Sequence, residues 1–239
     1  MKTAYLSENN VLFDKLRGNY LEAKEEFLNL LHGQMPASYF AFDTRFILTA
    51  AMTVSFDKKM IKSKATKSCY IRLVKISDLW FAYESLLNIA YEQSFFADKT
   101  AKTNAIKDKE ASEVFALDDL IHNCNNVLNN QCLNDADKNK KIQDYLTVLI
   151  QSTSSNQTAT LTKALASVRS KKDLGIQELI GLIYEIRNLF VTKGDTSVAK
   201  IKNLDLAKSM FEILYDFLLL TCIKVATKLI YNKINELSK

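Results

Sequence analysis

The sequence contains very little proline and glycine, with one proline and five glycines in 239 residues. These residues break helices and build tight turns, so their scarcity argues against a turn-dense β fold. Two histidines far apart in sequence and four cysteines without C-x-x-C spacing give no expected metal site. A glycine-rich phosphate loop and a G-x-S-x-G element are absent too, so no cofactor is expected and kinase, oxidoreductase and transferase functions have no support.

Long apolar runs are also missing. The most apolar stretch, residues 217–223, is far too short to cross a bilayer, and residues 1–10 are polar, unlike a secretory signal. The net charge of +5 is mild compared with that of dedicated nucleic-acid-binding domains. We therefore expect a cytoplasmic protein with reduced thiols that does not enter a membrane.

Apolar residues recur at helical spacing along most of the chain, which predicts an all-α bundle of about seven or eight helices. Gly33 and Gly194 are placed to end helices, and Asp173 is placed to cap the start of one. We expect one domain over residues 1–239, in which an N-terminal helical pair (1–56) packs on a bundle (69–237). The predicted helices span 19–31, 38–55, 69–96, 112–129, 137–151, about 161–168, 173–192 and 203–237, with polar loops at 97–110 and 152–160.

The most basic segment is residues 57–68, predicted to be a loop or a frayed helix end. Lys58, Lys59 and Lys62 are weak candidates for contacts with phosphate groups. Since no aromatic residue alternates with the lysines to stack on bases, a solvated loop is the competing interpretation.

Two charged residues fall within apolar helical stripes. Arg187 lies among the isoleucines of the helix 173–192, while Glu185 is expected on the opposite, exposed side. Glu84 lies in an apolar stripe of the helix 69–96. Because an unpaired buried charge costs several kcal/mol, on the order of 3–5 when one partner is removed, we expect Glu84 and Arg187 to face each other. This pair is either an internal ion pair or a polar notch in which Glu84 orients Arg187 toward phosphate.

The run IYEIRNLFVTKG, residues 183–194, resembles the signature helix of the HEPN superfamily of all-α domains, found in prokaryotic toxins and defence proteins. The family motif is an arginine, usually followed by a polar residue, and then a histidine after a gap of four to six residues. Arg187 and Asn188 match the first part. Residues 79–93, LWFAYESLLNIAYEQ, resemble the HEPN helix that carries an acidic residue, matched by Glu84. The resemblance implies a HEPN-like core with extra N-terminal helices and a homodimer.

The resemblance also implies which residues would act. In active HEPN ribonucleases, arginine and histidine meet across a dimer interface and promote attack by the RNA 2′-hydroxyl on the adjacent phosphate, without a metal. Here Thr192 stands at the first histidine position, and neither Lys193 nor Gly194 restores it. A threonine hydroxyl cannot act as an acid–base near neutral pH. Lys193 adds positive charge but is a poor base. His122, on another predicted helix, is the alternative source of an imidazole.

The leading hypothesis is a HEPN-like protein without nuclease activity that binds RNA, a nucleotide or a protein partner near Arg187, in a defence- or stress-type role. One alternative is a metal-independent endoribonuclease with an altered site built on Arg187, Asn188, Glu84 and Thr192. Another is an unrelated helical interaction or scaffold protein in which Arg187 is only structural.

Overall fold

The computed structural model confirms an all-α multi-helix protein. Within the residues that it describes, regular structure consists of eight α-helices and one π-helical turn, without a strand. The described residues are 10–55, 63–95, 114–153, 155–194, 201 and 203–239. The elements are α1 (Asn10–Leu30), α2 (Ala37–Ala51), α3 (Lys64–Glu92), α4 (Asp118–Leu128), the π-turn (Asn129–Leu133), α5 (Ala136–Ser152), α6 (Ser155–Arg169), α7 (Ile176–Lys193) and α8 (Leu204–Leu237).

The chain divides into two compact units that are interleaved in sequence. Unit 1 comprises Met1–Ala51, Asp78–Leu117 and Leu218–Lys239, and unit 2 comprises Met52–Ser77 and Asp118–Phe217. The long helices α3 and α8 therefore each contribute one half to each unit. The expected single domain, with an N-terminal pair on a separate bundle, stays a prediction.

An aromatic cluster forms the core of unit 1 between α1 and α2. The Tyr20 ring lies 6.2 Å from that of Phe42 and 5.9 Å from that of Phe46, and the Phe27 and Tyr39 rings are 5.0 Å apart. The turn after α1 ends as expected. Gly33 has a φ of +82°, which disfavours any side chain, and its amide donates to the Leu28 carbonyl at 2.8 Å.

Two buried asparagines of unit 2 bond to the backbone where helices begin or end: before α7, at the end of the π-turn and in the last turn of α6. Asn125 donates to the Leu174 carbonyl at 2.8 Å and accepts from the Leu174 amide at 2.7 Å. Asn139 donates to the carbonyls of Leu133 (3.1 Å) and Val168 (3.4 Å). Buried backbone groups without a helical partner need such bonds, so Asn125 fixes the chain just before α7 begins.

Two local predictions are wrong. Asp173 does not cap α7: the cap position is Gly175, and the Asp173 carboxylate accepts from Asn129 at 3.2 Å. The exchange between Asn125 and Leu174 holds the chain outside the helix for two further residues. The loop expected at 152–160 is largely helical, because α6 starts at Ser155 and packs against α5 and α7. Tertiary packing here overrides the weak helix propensity of a Ser- and Thr-rich segment.

Candidate functional site

Helix α7 carries the candidate motif, and its isoleucine face is buried as predicted. Five residues of the predicted stripe are no more than 6% exposed, namely Ile176, Leu179, Ile180, Ile183 and Ile186, whereas its sixth, Phe190, is half-buried. The helix ends at Gly194, whose φ of +60° is the left-handed conformation that favours glycine and whose amide donates to the Leu189 carbonyl. The position of the motif on the last two turns of a helix is therefore confirmed.

Glu185 was expected on the exposed side of α7, and this is wrong. Its residue exposure is only 2%, and its carboxylate accepts from the Thr153 hydroxyl at 2.9 Å. The reason is Gly181, one turn earlier on the same face. Gly181 has no side chain, and a Cβ there would lie 2.6 Å from Cγ2 of Thr160, so α6 packs directly on this side of α7. The helix is covered on both faces, which a single apolar stripe does not predict.

Arg187 is half-buried near the end of α7, between core and solvent. Phe190 follows it by three residues, about one helical turn, on the same face. The Phe190 ring meets the Tyr70 ring of α3 edge to face, with centroids 5.4 Å apart and an interplanar angle of 81°. Tyr70 is 36% exposed. We call Arg187, Asn188, Phe190 and Tyr70 the arginine corner.

Asn188 and Thr192, the other described motif positions of α7, carry no group that titrates near neutral pH. Thr192 is exposed, and its hydroxyl donates to the Asn188 carbonyl of its own helix at 2.6 Å. Asn188 is half-buried, and the side chain of Lys193 is not among those that the structure describes. His122, the other imidazole considered, is exposed on α4.

Glu84 was expected in an apolar stripe of α3, and this is wrong. It is exposed, and its carboxylate accepts from the Trp80 indole N–H at 3.0 Å. Glu84, Asn88 and Glu92 follow at intervals of four residues and form the exposed polar edge of this half of α3. Glu84 therefore needs no buried cation, and its pairing with Arg187 stays a prediction.

Unit 2 contains a second group of charges that the sequence did not single out. Arg72 on α3 lies 3.7 Å from Glu212 of α8, and its guanidinium is 5.1 Å from the centre of the Tyr215 ring. The ammonium of Lys75 is 6.0 Å from the same ring. Burial, and then the neighbouring Arg72, lower the pKa of Lys75. The sequence signal for this group was the spacing of three residues between Arg72 and Lys75, in the basic first half of α3.

The weak basic candidates Lys58, Lys59 and Lys62 lie outside the described residues. All four cysteines are buried and free. Burial raises the pKa of Cys69 to about 11 and that of Cys132 to about 12, and it also raises those of Cys124 and Cys222. Within the described ranges, no three His, Cys, Asp or Glu side chains are grouped to hold a metal ion.

Comparisons of the chain with protein-family models, with curated proteins and with solved structures found no match. Among the described helices, none combines the length and the hydropathy needed to span a membrane. The candidate site therefore rests on the geometry of the arginine corner.

Proposed function

We propose that this chain is a HEPN-like helical protein without nuclease chemistry, and that it binds single-stranded RNA at the arginine corner. The observation that carries the proposal is an exposed aromatic ring, Tyr70, held against Phe190 one turn from Arg187. Proteins bind unpaired bases by stacking them on aromatic rings, and they bind the adjoining phosphates with arginine.

The chemistry of the corner supports binding more than cleavage. Transfer of a proton from the RNA 2′-hydroxyl needs a base that titrates near neutral pH, which an imidazole supplies and a threonine hydroxyl does not. The Thr192 hydroxyl instead donates a hydrogen bond to a carbonyl of its own helix. Arg187 carries a permanent positive charge and a planar set of donors whose geometry matches phosphate oxygens.

Nearby charge supports an anionic ligand. Lys67 lies three residues before Tyr70 on α3 and is half-buried, so it adds a second cation one turn from the aromatic pair. The net charge of +5 increases the rate at which a polyanion meets the protein at low salt. RNA is therefore the member of the RNA, nucleotide and protein alternatives that the corner favours.

The test is fluorescence anisotropy of a labelled ten-nucleotide single-stranded RNA, titrated with the full chain in EDTA. Tyr70→Ala should weaken binding about 5- to 150-fold, since stacking of one base contributes about 1–3 kcal/mol, whereas Tyr70→Phe should bind nearly as well as the wild type. Arg187→Ala should reduce the slope of log K against log salt by about 0.7. Arg169→Ala, which removes an exposed cation of α6, is the matched control.

Two outcomes would overturn this proposal. Equal weakening by Arg169→Ala and Arg187→Ala would mean that RNA responds only to net charge. Metal-independent cleavage of the RNA that is lost on Arg187→Ala would establish the ribonuclease alternative instead.

A second candidate role, assembly with another copy of the chain, is favoured by the outer face of α2. Phe40 and Leu48 on this face are 61% and 63% exposed, and Ile47 beside them is 48% exposed. Adjacent exposed apolar side chains of this size are typical of interaction surfaces, and one helix face can pair with its own copy about a twofold axis. Sedimentation should show a dimer that Phe40→Asp dissociates; a monomeric wild type at 100 µM, on the order of ordinary assay concentrations, would exclude it.

A further inference from the structure

A cavity of about 370 Å³ opens between α1, α2 and α8 in unit 1. Its volume lies within the range of about 300–1,000 Å³ that is usual for small-molecule sites. It opens to solvent, because Leu21 and Ile47 of its lining are 47% and 48% exposed. The apolar walls are formed by Phe13, Leu21, Phe46, Ile47, Ala50, Ala51, Leu219 and Ile223.

One wall of the cavity is polar, and its polar groups bond mostly to one another. The Asp43 carboxylate, in a residue 8% exposed, accepts from the Tyr20 hydroxyl and from the Lys24 ammonium, both at 2.7 Å. Burial, and then Asp43, raise the pKa of Tyr20, so the phenol stays neutral and keeps donating. Lys24 and Asp43 thus balance each other, and they leave no lone charge for a ligand to neutralise.

Arg17 is the remaining charged residue of the lining. It is exposed, and it shares a face of α1 with Phe13 and Tyr20, at intervals of four and three residues. The cavity therefore combines apolar walls, an internally neutralised polar wall and one positive charge from an exposed side chain.

We propose that this cavity binds a small molecule with one negative charge and an apolar body, of the class of medium-chain alkyl carboxylates. The carboxylate pairs with Arg17, and the chain lies against the apolar walls. Arginine suits this role because its donors match both carboxylate oxygens. The site uses residues of unit 1 only and does not depend on RNA binding by the arginine corner.

The test is isothermal titration of the full chain with straight-chain carboxylates of increasing length and with the alcohols of the same length, below their micelle concentrations. Each added methylene should tighten the dissociation constant about three- to fourfold, as expected for burial of a CH₂ group. The carboxylate should bind at least about tenfold more tightly than the matched alcohol, which lacks the charge-assisted pair.

Matched variants separate this site from non-specific uptake. Arg17→Gln should remove the preference for the carboxylate over the alcohol, Arg17→Lys should keep part of it, and Lys15→Gln, which removes an exposed charge of α1 outside the lining, should change nothing. Ala50→Phe, which fills the cavity, should abolish binding of both ligands while circular dichroism shows an unchanged helical fold. Binding without dependence on chain length, or equal losses in Arg17→Gln and Lys15→Gln, would overturn the proposal.

Discussion

Gly181 offers a sharp test of how α7 is held, because the cost of adding one methyl group there can be worked out from two distances. The added Cβ would lie 2.6 Å from Cγ2 of Thr160 and 3.5 Å from its Cβ. Carbon atoms prefer separations of about 3.5–4.0 Å, so only the first contact is a clash, by roughly 1 Å. Overpacking of this kind typically costs about 1–3 kcal/mol.

A second effect opposes the clash. Alanine is favoured over glycine inside a helix by about 0.8–1.0 kcal/mol, so Gly181→Ala should destabilise the protein by about 0–2 kcal/mol overall. Thr160→Ser removes Cγ2 and leaves the ordinary 3.5 Å contact. The double variant should then be at least as stable as Thr160→Ser alone, with a coupling energy of about 1–3 kcal/mol between the two positions.

Thermal unfolding followed by circular dichroism measures both effects. For a chain of this size, 1 kcal/mol corresponds to a shift in Tm of about 2–4 °C. Gly181→Ala should lower Tm by up to about 8 °C, and adding Thr160→Ser should restore it. A Gly181→Ala variant about 1 kcal/mol more stable than the wild type, as helix propensity alone would give, or a loss that Thr160→Ser does not restore, would show that α6 does not cover this face of α7.

Three further predictions concern other buried groups. The four thiols should be unreactive toward a thiol reagent at pH 8 in the native protein and should all react in denaturant, because burial raises their pKa values; rapid native labelling would contradict their placement. Asp43→Ala should lower the free energy of unfolding in denaturant by about 2–4 kcal/mol, since it leaves the buried Tyr20 hydroxyl without its acceptor. Tyr20→Phe should cost less in the Asp43→Ala background than in the wild type, and additive losses of stability would exclude this coupling. Burial lowers the pKa of Lys75 in the folded protein, so its charged form costs stability below that pKa, and this cost disappears as pH rises toward the pKa of Lys75 in the unfolded chain. Lys75→Met should therefore raise Tm at pH 7 and raise it less at pH 10. An increase in Tm that grows with pH would contradict this.

The helical class could be predicted from the sequence because scarce proline and glycine and helical spacing act locally. Which face of each helix is buried was harder to predict. Leu21 and Leu30 of α1 are exposed although they are apolar, while Phe13 and Tyr20 on another face of this helix are buried. Both faces of α1 carry apolar residues, and only the position of α2 decides which one is covered.

The candidate site could be predicted only in part, for the same reason. Arg187, Asn188 and Thr192 are recognisable in one short run, and the structure places them at the end of α7 as expected. Glu185 and Glu84 were assigned to the wrong sides because α6 covers one face of α7, and because α3 has a polar edge between two buried arcs. Tyr70 was missed because its contact with Phe190 joins residues 120 positions apart.

The central claim, that single-stranded RNA binds uncleaved at the arginine corner, is tested most directly by photocrosslinking. RNA containing 4-thiouridine would be irradiated with the full chain in EDTA, and the crosslinked tryptic peptides would be identified by mass spectrometry. We predict intact RNA attached to residues 68–72, which contain Tyr70, or to residues 188–193, which contain Phe190. Adducts only on other peptides would contradict this account.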